Sequence, residues 1–191
     1  MMSREFLYGT TNPDKLREAQ ALAEAFGIDL EAIASVARRR HSEPPIVVED
    51  SPSYEGNAVR KALAYAEWAG MPCLADDTGI EIEELGGYPG IHTARVGVHA
   101  LKKRLFPGRR YEARFVCCVA YAEPRGRRVS VTAILSGTFV PSLGGVEPRT
   151  SLEFSPFFVP EGESRSLHEL LASGYSDSHR ARALRALLGA L

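Results

Sequence analysis

Apolar residues fall along this chain either in short blocks or at helical spacing, and the two patterns predict its elements. Phe6-Leu7-Tyr8, Ile46-Val47-Val48 and Cys73-Leu74-Ala75 read as short strands, and Arg114–Ala122 as a central strand covered on both faces. Val129–Leu135 returns after the turn at Glu123-Pro124-Arg125-Gly126, which predicts a hairpin, and another short strand is expected at Thr138-Phe139-Val140. Leu16, Ala19, Ala23 and Phe26 recur at helical spacing behind Asn12, a good N-cap, and Pro13, with Gly27 at the exit. A second helix is predicted from about Ser53 to Ala69. Ala58, Ala62 and Ala66 form one row, Val59 and Leu63 its neighbour, and Gly70-Met71-Pro72 the end. Ser166-x-x-Glu169 is a capping box opening a short helix through Leu171. Asp177 or Ser178 caps a last helix with Leu184, Leu187, Leu188 and Leu191 on one face. Between Ile28 and His41 the pattern is ambiguous. Ala32–Ala37 reads as strand or helix, and Arg38-Arg39-Arg40 as a solvated basic turn. Leu101–Arg110 is basic and ends in a Pro-Gly turn, residues 137–149 form a Gly/Pro-punctuated loop, and Ser151–Val159 is an aromatic patch interrupted by Pro156.

The stretch from Cys73 to Arg95 carries the densest chemistry. Its apolar run stops on Asp76 and Asp77, followed by Thr78 and Gly79, where the chain is expected to turn away. Adjacent carboxylates at the end of a buried strand repel each other and resist desolvation, so they imply a compensating cation or a raised pKa. Hard oxygen ligands in that position suit Mg²⁺, which keeps water and substrate phosphate in its shell. The plain alternative is an acidic turn between two strands. A strand passing through Gly9-Thr10-Thr11 into a capped helix is also an anion site, with Lys15 in the first turn. It lacks the glycine spacing and the Gly-Lys-Ser/Thr ending of a P-loop. Glu49, Asp50 and Glu55 add carboxylates near the second helix. There Asn57 and Lys61, four apart, share one face, where they either reach a substrate or are solvated. His179 and Arg180 lie in the first turn of the last helix, again at an anion-attracting end.

Composition narrows the classes. The 191 residues are 45% hydrophobic and 25% charged, with a formal net charge of −1. That balance fits a folded domain, or two closely packed lobes, and gives no general field for nucleic acid. Neither a signal core nor a run of membrane-spanning length is visible. Cys73, Cys117 and Cys118 all sit in apolar runs without metal-ligand spacing. The expectation is a cytoplasmic protein that partners neither nucleic acid nor membrane.

In order, GTTNPDKLRE (9–18), YEGNAVRKA (54–62), LADDTGIEIEELGGYPGIHTAR (74–95) and SHRARAL (178–184) resemble the inosine triphosphate pyrophosphatase family. The resemblance spans nearly the whole chain. It implies an α/β fold with an elongated, twisted mixed sheet, flanking helices and two lobes around a substrate cleft, as a single domain and usually a homodimer. It implies Mg²⁺-dependent cleavage of a non-standard purine nucleoside triphosphate to the monophosphate and pyrophosphate. On this resemblance Thr10, Thr11, Asn12 and Lys15 hold the triphosphate, Asp77 is the general base and a metal ligand, and Asp76 binds metal. Thr78 contacts substrate, and Phe154, Ser155, His179 and Arg180 line the base pocket. Three positions depart from the family pattern. Gly56 stands where a metal-binding Glu precedes the Asn, leaving Glu55 or Glu49 as substitutes. Ser155 replaces an acid, and Gly174 falls where a base-pocket lysine is expected. Phosphate handling is thus better preserved than base reading, which leaves a redirected base, a biosynthetic pathway role or an impaired nucleotide binder as alternatives.

Overall fold

The computed structural model describes residues 4–143 and 153–191. Strand β1 (Arg4–Tyr8) leads into helix α1 (Pro13–Glu24), β2 (Ile28–Ala32) into α2 (Ile33–Arg40), and α3 (Tyr54–Ala69) into β3 (Cys73–Ile82). Helix α4 (Thr93–Lys102) precedes the long strands β4 (Tyr111–Ala122) and β5 (Arg128–Phe139); β6 (Phe158–Pro160), α5 (Leu167–Ala172) and α6 (His179–Leu188) follow. The six strands form one mixed sheet in the order β2-β1-β3-β4-β5-β6, the α/β class expected. β1 runs parallel to both β2 and β3, with Leu7 opposite Cys73 and Tyr8 opposite Leu74, while β5 and β6 are antiparallel. Parallel neighbours need long crossovers, which α1 and the α2–α3 segment supply.

Among the described residues the chain divides into two compact units, one from Met1–Asp77, Cys117–Thr132 and Arg180–Leu191, the other from Thr78–Val116 and Ala133–His179. In the first unit the predicted alanine row of α3 (Ala58, Ala62, Ala66, with Ala69) is buried with Cys73 and Ala75 of β3 and Cys118 and Ala120 of β4. Side chains this small let the helix backbone come close to the sheet. The second unit has an aromatic core containing Phe115, Phe139, Phe154, Phe157 and Phe158. Phe115 meets Phe158 edge-on with ring centroids 4.8 Å apart, a geometry worth about 0.5–1.5 kcal/mol beyond its area.

Caps and buried helix faces fall where the pattern puts them. Asn12 Oδ1 accepts from the N–H groups of Asp14 and Lys15 at 3.0 and 3.1 Å, Pro13 opens α1, and Ser53 caps α3. The Ser166–Glu169 capping box is present, and Leu184, Leu187 and Leu188 are buried on α6. Leu191 lies past the end of that helix. Long-range pairing accounts for the differences. Ile46-Val47-Val48 is not a strand: residues 42–51 have no regular structure and Ile46 is 96% exposed. The segment is tied to a helix instead, with Arg60 Nη1 donating to the Val48 carbonyl at 2.9 Å. The ambiguous 32–37 stretch ends β2 and continues as α2, which takes in Arg38–Arg40 as its last turn. Strand β3 does not end at Asp76, nor does the chain turn at Gly79; it runs unbroken to Ile82 because donors on both sides of the strand satisfy the acids. Strand β5 extends through the segment expected as a separate strand at 138–139. Helix α4 was hidden because Gly97, at φ 69° and ψ 157°, breaks its period. Residues 144–149 of the expected loop and 151–152 of the aromatic patch lie outside the described residues.

Candidate active site

Asp76 and Asp77 occupy successive positions of β3, so their side chains leave opposite faces of the strand. Asp76 is 2% exposed. Its Oδ1 accepts from the Tyr8 hydroxyl at 2.8 Å, and its Oδ2 from Lys15 Nζ at 2.8 Å and Arg180 Nε at 3.3 Å. Arg180, itself 1% exposed, also donates through Nη1 to Glu18 Oε2 at 2.5 Å. Burial alone would raise the Asp76 carboxyl, but Lys15, Arg180 and Lys61 outweigh it and hold the group well below the usual carboxylate range. The Tyr8 hydroxyl moves the other way, raised well above its usual value by burial and then by the charge of Asp76. It therefore remains a donor.

On the opposite face, Asp77 Oδ2 accepts from Asn57 Nδ2 at 2.9 Å. Asn57 is 2% exposed and belongs to the first turn of α3. One turn further on, Lys61 donates to the Asp76 backbone carbonyl at 2.7 Å and pairs with Glu49 Oε2 at 2.6 Å. Burial raises the Asp77 carboxyl and the charge of Glu49 adds to this, against the opposing pull of Lys61, Asn57 and Lys15. This covalently adjacent pair has therefore separated into one acid held ionised and one biased towards accepting a proton.

In the first unit the structure assembles Asp76, Asp77, Lys15 and Arg180, with Thr10 and Asn12 leading into α1. Thr10 Oγ1 accepts from the Asn12 N–H at 3.2 Å, and Thr11 is exposed beside it. Thr78, Phe154, Ser155 and His179 belong to the second unit. There Phe154 and Ser155 are 5% and 3% exposed, and the His179 ring lies flat on Phe115 with centroids 4.6 Å apart and planes 8° from parallel. The division falls between His179 and Arg180, adjacent residues that the resemblance sends to one pocket. Sequence reasoning passed over Tyr8 and Glu18. A tyrosine closing a buried strand was a usable signal, since its hydroxyl needs a partner. Asn57 and Lys61 are turned towards the acids; Lys61 is only 12% exposed at its side chain. Of the two substitutes for the missing glutamate, Glu55 accepts from Ser130 Oγ at 2.5 Å, whereas Glu49 is the one whose charge reaches Asp77.

The Ham1 family model matches residues 6–190. The chain belongs to the Ham1 family. Family relatives include a dITP/XTP pyrophosphatase of Deinococcus deserti, 35% identical over all of this chain and 90% of that protein. A dITP/XTP pyrophosphatase of Thermus thermophilus is 32% identical over 95% of this chain and 88% of its own length. Among solved structures, a HAM1 protein from Coxiella burnetii superimposes with a TM-score of 0.77 at 24% identity, covering 98% of both chains, and shows the shared fold. A nucleoside-triphosphatase/dITP/XTP pyrophosphatase from Mycobacterium abscessus gives 0.65 at 30% identity over 97% of this chain and 95% of that one. No helix among the described residues is long and apolar enough to cross a membrane.

Proposed function

We propose that the protein hydrolyses non-standard purine nucleoside triphosphates, dITP, XTP and ITP, to the monophosphate and pyrophosphate. Support for this reading comes from the geometry of the first unit: Asp77 bonded to Asn57, and Asp76 bonded to Tyr8, Lys15 and Arg180, beside the capped N-terminus of α1. In the proposed reaction Asp77 takes a proton from water, the water oxygen bonds to the α-phosphorus, and the α–β anhydride breaks as pyrophosphate leaves. A carboxyl raised by burial is suited to that task, because proton acceptance is most effective when the base is not too weak. Lys15 and the α1 N-terminus, with Thr10, Thr11 and Asn12, bind the phosphates, and Lys61 neutralises charge on the Asp77 side. Arg180, bonded to Asp76 and Glu18, keeps the Asp76 carboxylate ionised and fixed. On the resemblance, Thr78 contacts substrate, and Phe154, Ser155, His179 and Arg180 serve the nucleotide base.

A divalent cation fits the donor chemistry. Asp77, and Glu49 whose charge reaches it, are oxygen donors, and Mg²⁺ is usually held by one or two carboxylates plus water and phosphate; Asp76, on the opposite face of β3, already accepts from Tyr8, Lys15 and Arg180. No group of three or more His, Cys, Asp or Glu side chains placed to hold a metal ion is found among the described residues. Bound Mg²⁺ would supply charge neutralisation on the phosphates. We also propose a homodimer, on the resemblance of the four sequence blocks, and a cytoplasmic setting, on the three buried free cysteines.

The test is a panel of triphosphates with Mg²⁺, detecting pyrophosphate separately from orthophosphate. Pyrophosphate should be the first product, fastest from the oxo-purines. Asp77→Asn should lower kcat by ~10²–10⁴ while triphosphate binding survives. Orthophosphate as first product, or an unchanged rate in the variant, rejects the assignment.

A further inference from the structure

Gly56 replaces the glutamate that the resemblance expects, and its surroundings explain why a side chain is absent. A Cβ at this position would lie 2.0 Å from Ser51 Oγ, 2.8 Å from Ser51 Cβ and 3.1 Å from Ser53 Oγ. The Ser51 side chain, whose Oγ also accepts from the Ser53 N–H, therefore stands where a side chain at position 56 would begin. From Val48 onward the segment before α3 is fastened to the helix residue by residue. Arg60 holds the Val48 carbonyl and the Asp50 carboxylate, and Lys61 holds Glu49. The Ser51 N–H donates to Asn57 Oδ1 at 3.0 Å.

That last bond sets the chemistry of Asp77. An amide side chain has one accepting end and one donating end. With its oxygen fixed by the Ser51 N–H, the buried Asn57 amide has one orientation, and its NH₂ donates to Asp77 Oδ2 at 2.9 Å. We propose that Gly56 is a positioning residue: the space it leaves admits Ser51, Ser51 orients the Asn57 amide, and Asn57 orients Asp77. On this view the glycine is a requirement of the site's present geometry and not a lost metal ligand. The two readings make opposite predictions for restoring the glutamate. The proposal rests on Asp77 acting as the base.

The experiment measures kcat and KM for ITP, with calorimetric binding of a non-hydrolysable α,β-methylene triphosphate and a Tm for each variant. Gly56→Ala and Gly56→Glu should each lower kcat by about ten- to a hundredfold, the scale of a displaced reacting group. KM and analogue binding should stay near wild type, because α1 and Lys15 are untouched. Ser51→Gly keeps the backbone N–H and removes both atoms nearest the intruding Cβ. Combined with Gly56→Ala it should recover most of the lost kcat. If the Gly56 variants do not fold, Asn57→Asp is the second probe. It still accepts from Ser51 but opposes Asp77 with an oxygen, and should lower kcat at least as far as expected for Gly56→Ala. A Gly56→Glu variant with wild-type or higher kcat overturns the proposal. So does a Gly56→Ala loss that Ser51→Gly fails to relieve, or an Asn57→Asp variant with full kcat. Failure of the underlying reading shows separately, as an Asp77→Asn enzyme with unchanged rate.

Discussion

On one face of β3, Asp76 meets the Tyr8 hydroxyl and the cations Lys15 and Arg180; on the other, Asp77 meets the Asn57 amide, with Lys61 and Glu49 near it. Both carboxylates are buried and they are covalent neighbours, yet their proton affinities move in opposite directions. Burial by itself does not decide the charge of a group. The partners on its side of the strand do, and a β-strand assigns successive residues to different partners without a turn. One face stabilises an anion, while the other leaves a carboxyl able to exchange a proton.

The largest expected effect is on folding stability. Asp76→Asn removes the charge shared by Lys15 and the 1%-exposed Arg180, and breaking a buried pair of this kind costs about 3–5 kcal/mol. Asp77→Asn should cost far less, since the folded state already disfavours the charged form of that group. Urea denaturation of both variants without added metal measures the contrast; equal losses would break it.

Tyr8→Phe keeps the ring in the core but deletes the donor to Asp76 Oδ1. Hydrogen bonds to charged groups contribute about 1.5–3 kcal/mol, so the loss should be smaller than for Asp76→Asn. If the phenylalanine variant is as stable as wild type, the hydroxyl is not needed to hold the anion.

The smallest effect expected is the pH dependence. Asp76 has a folded pKa below its unfolded value, so its stabilising contribution is present above the ordinary carboxylate range and lost as pH falls through the depressed value. Asp77 has a folded pKa above its unfolded value, so its contribution is present at low pH and lost as pH rises through the raised value. The stability difference between wild type and Asp77→Asn should therefore move against wild type from acid towards neutral pH, whereas that between wild type and Asp76→Asn should move in its favour. If the two differences, measured without added metal, move in the same direction with pH, the distinction between the faces is lost.

What the sequence showed of this arrangement was local. The Asn12 cap, the Pro13 start and the alanine row of α3 follow from residues a few positions apart, and each is present. The acid pair was visible too, but its meaning depended on Tyr8, 68 positions away, and Arg180, 104 positions away, whose approach only the folded sheet supplies. For the same reason β3 was expected to stop at Asp76: no local signal showed that donors on both faces would satisfy the acids. Nor could periodicity choose between Glu49 and Glu55, because residues 42–51 have none and their course is fixed by Arg60, Lys61 and Asn57. The triplet Ile46-Val47-Val48 has the composition of a strand but finds no neighbouring one.

The alanines that press α3 against the sheet have no side-chain rotors. A gap between helix and strand filled with leucine can absorb a small displacement by a change of rotamer; one filled with methyl groups cannot. The spacing at Ala58, Ala62 and Ala66 consequently has less slack than a leucine-filled gap, with Leu7, Ile33 and Val36 sharing the same core. A bulkier residue there would shift the helix as a body, carrying Asn57 and Lys61 together and preserving their separation from each other while changing their distance from β3. Wear at these positions over sequence drift would therefore be felt as a widened gap, not as a misaimed donor.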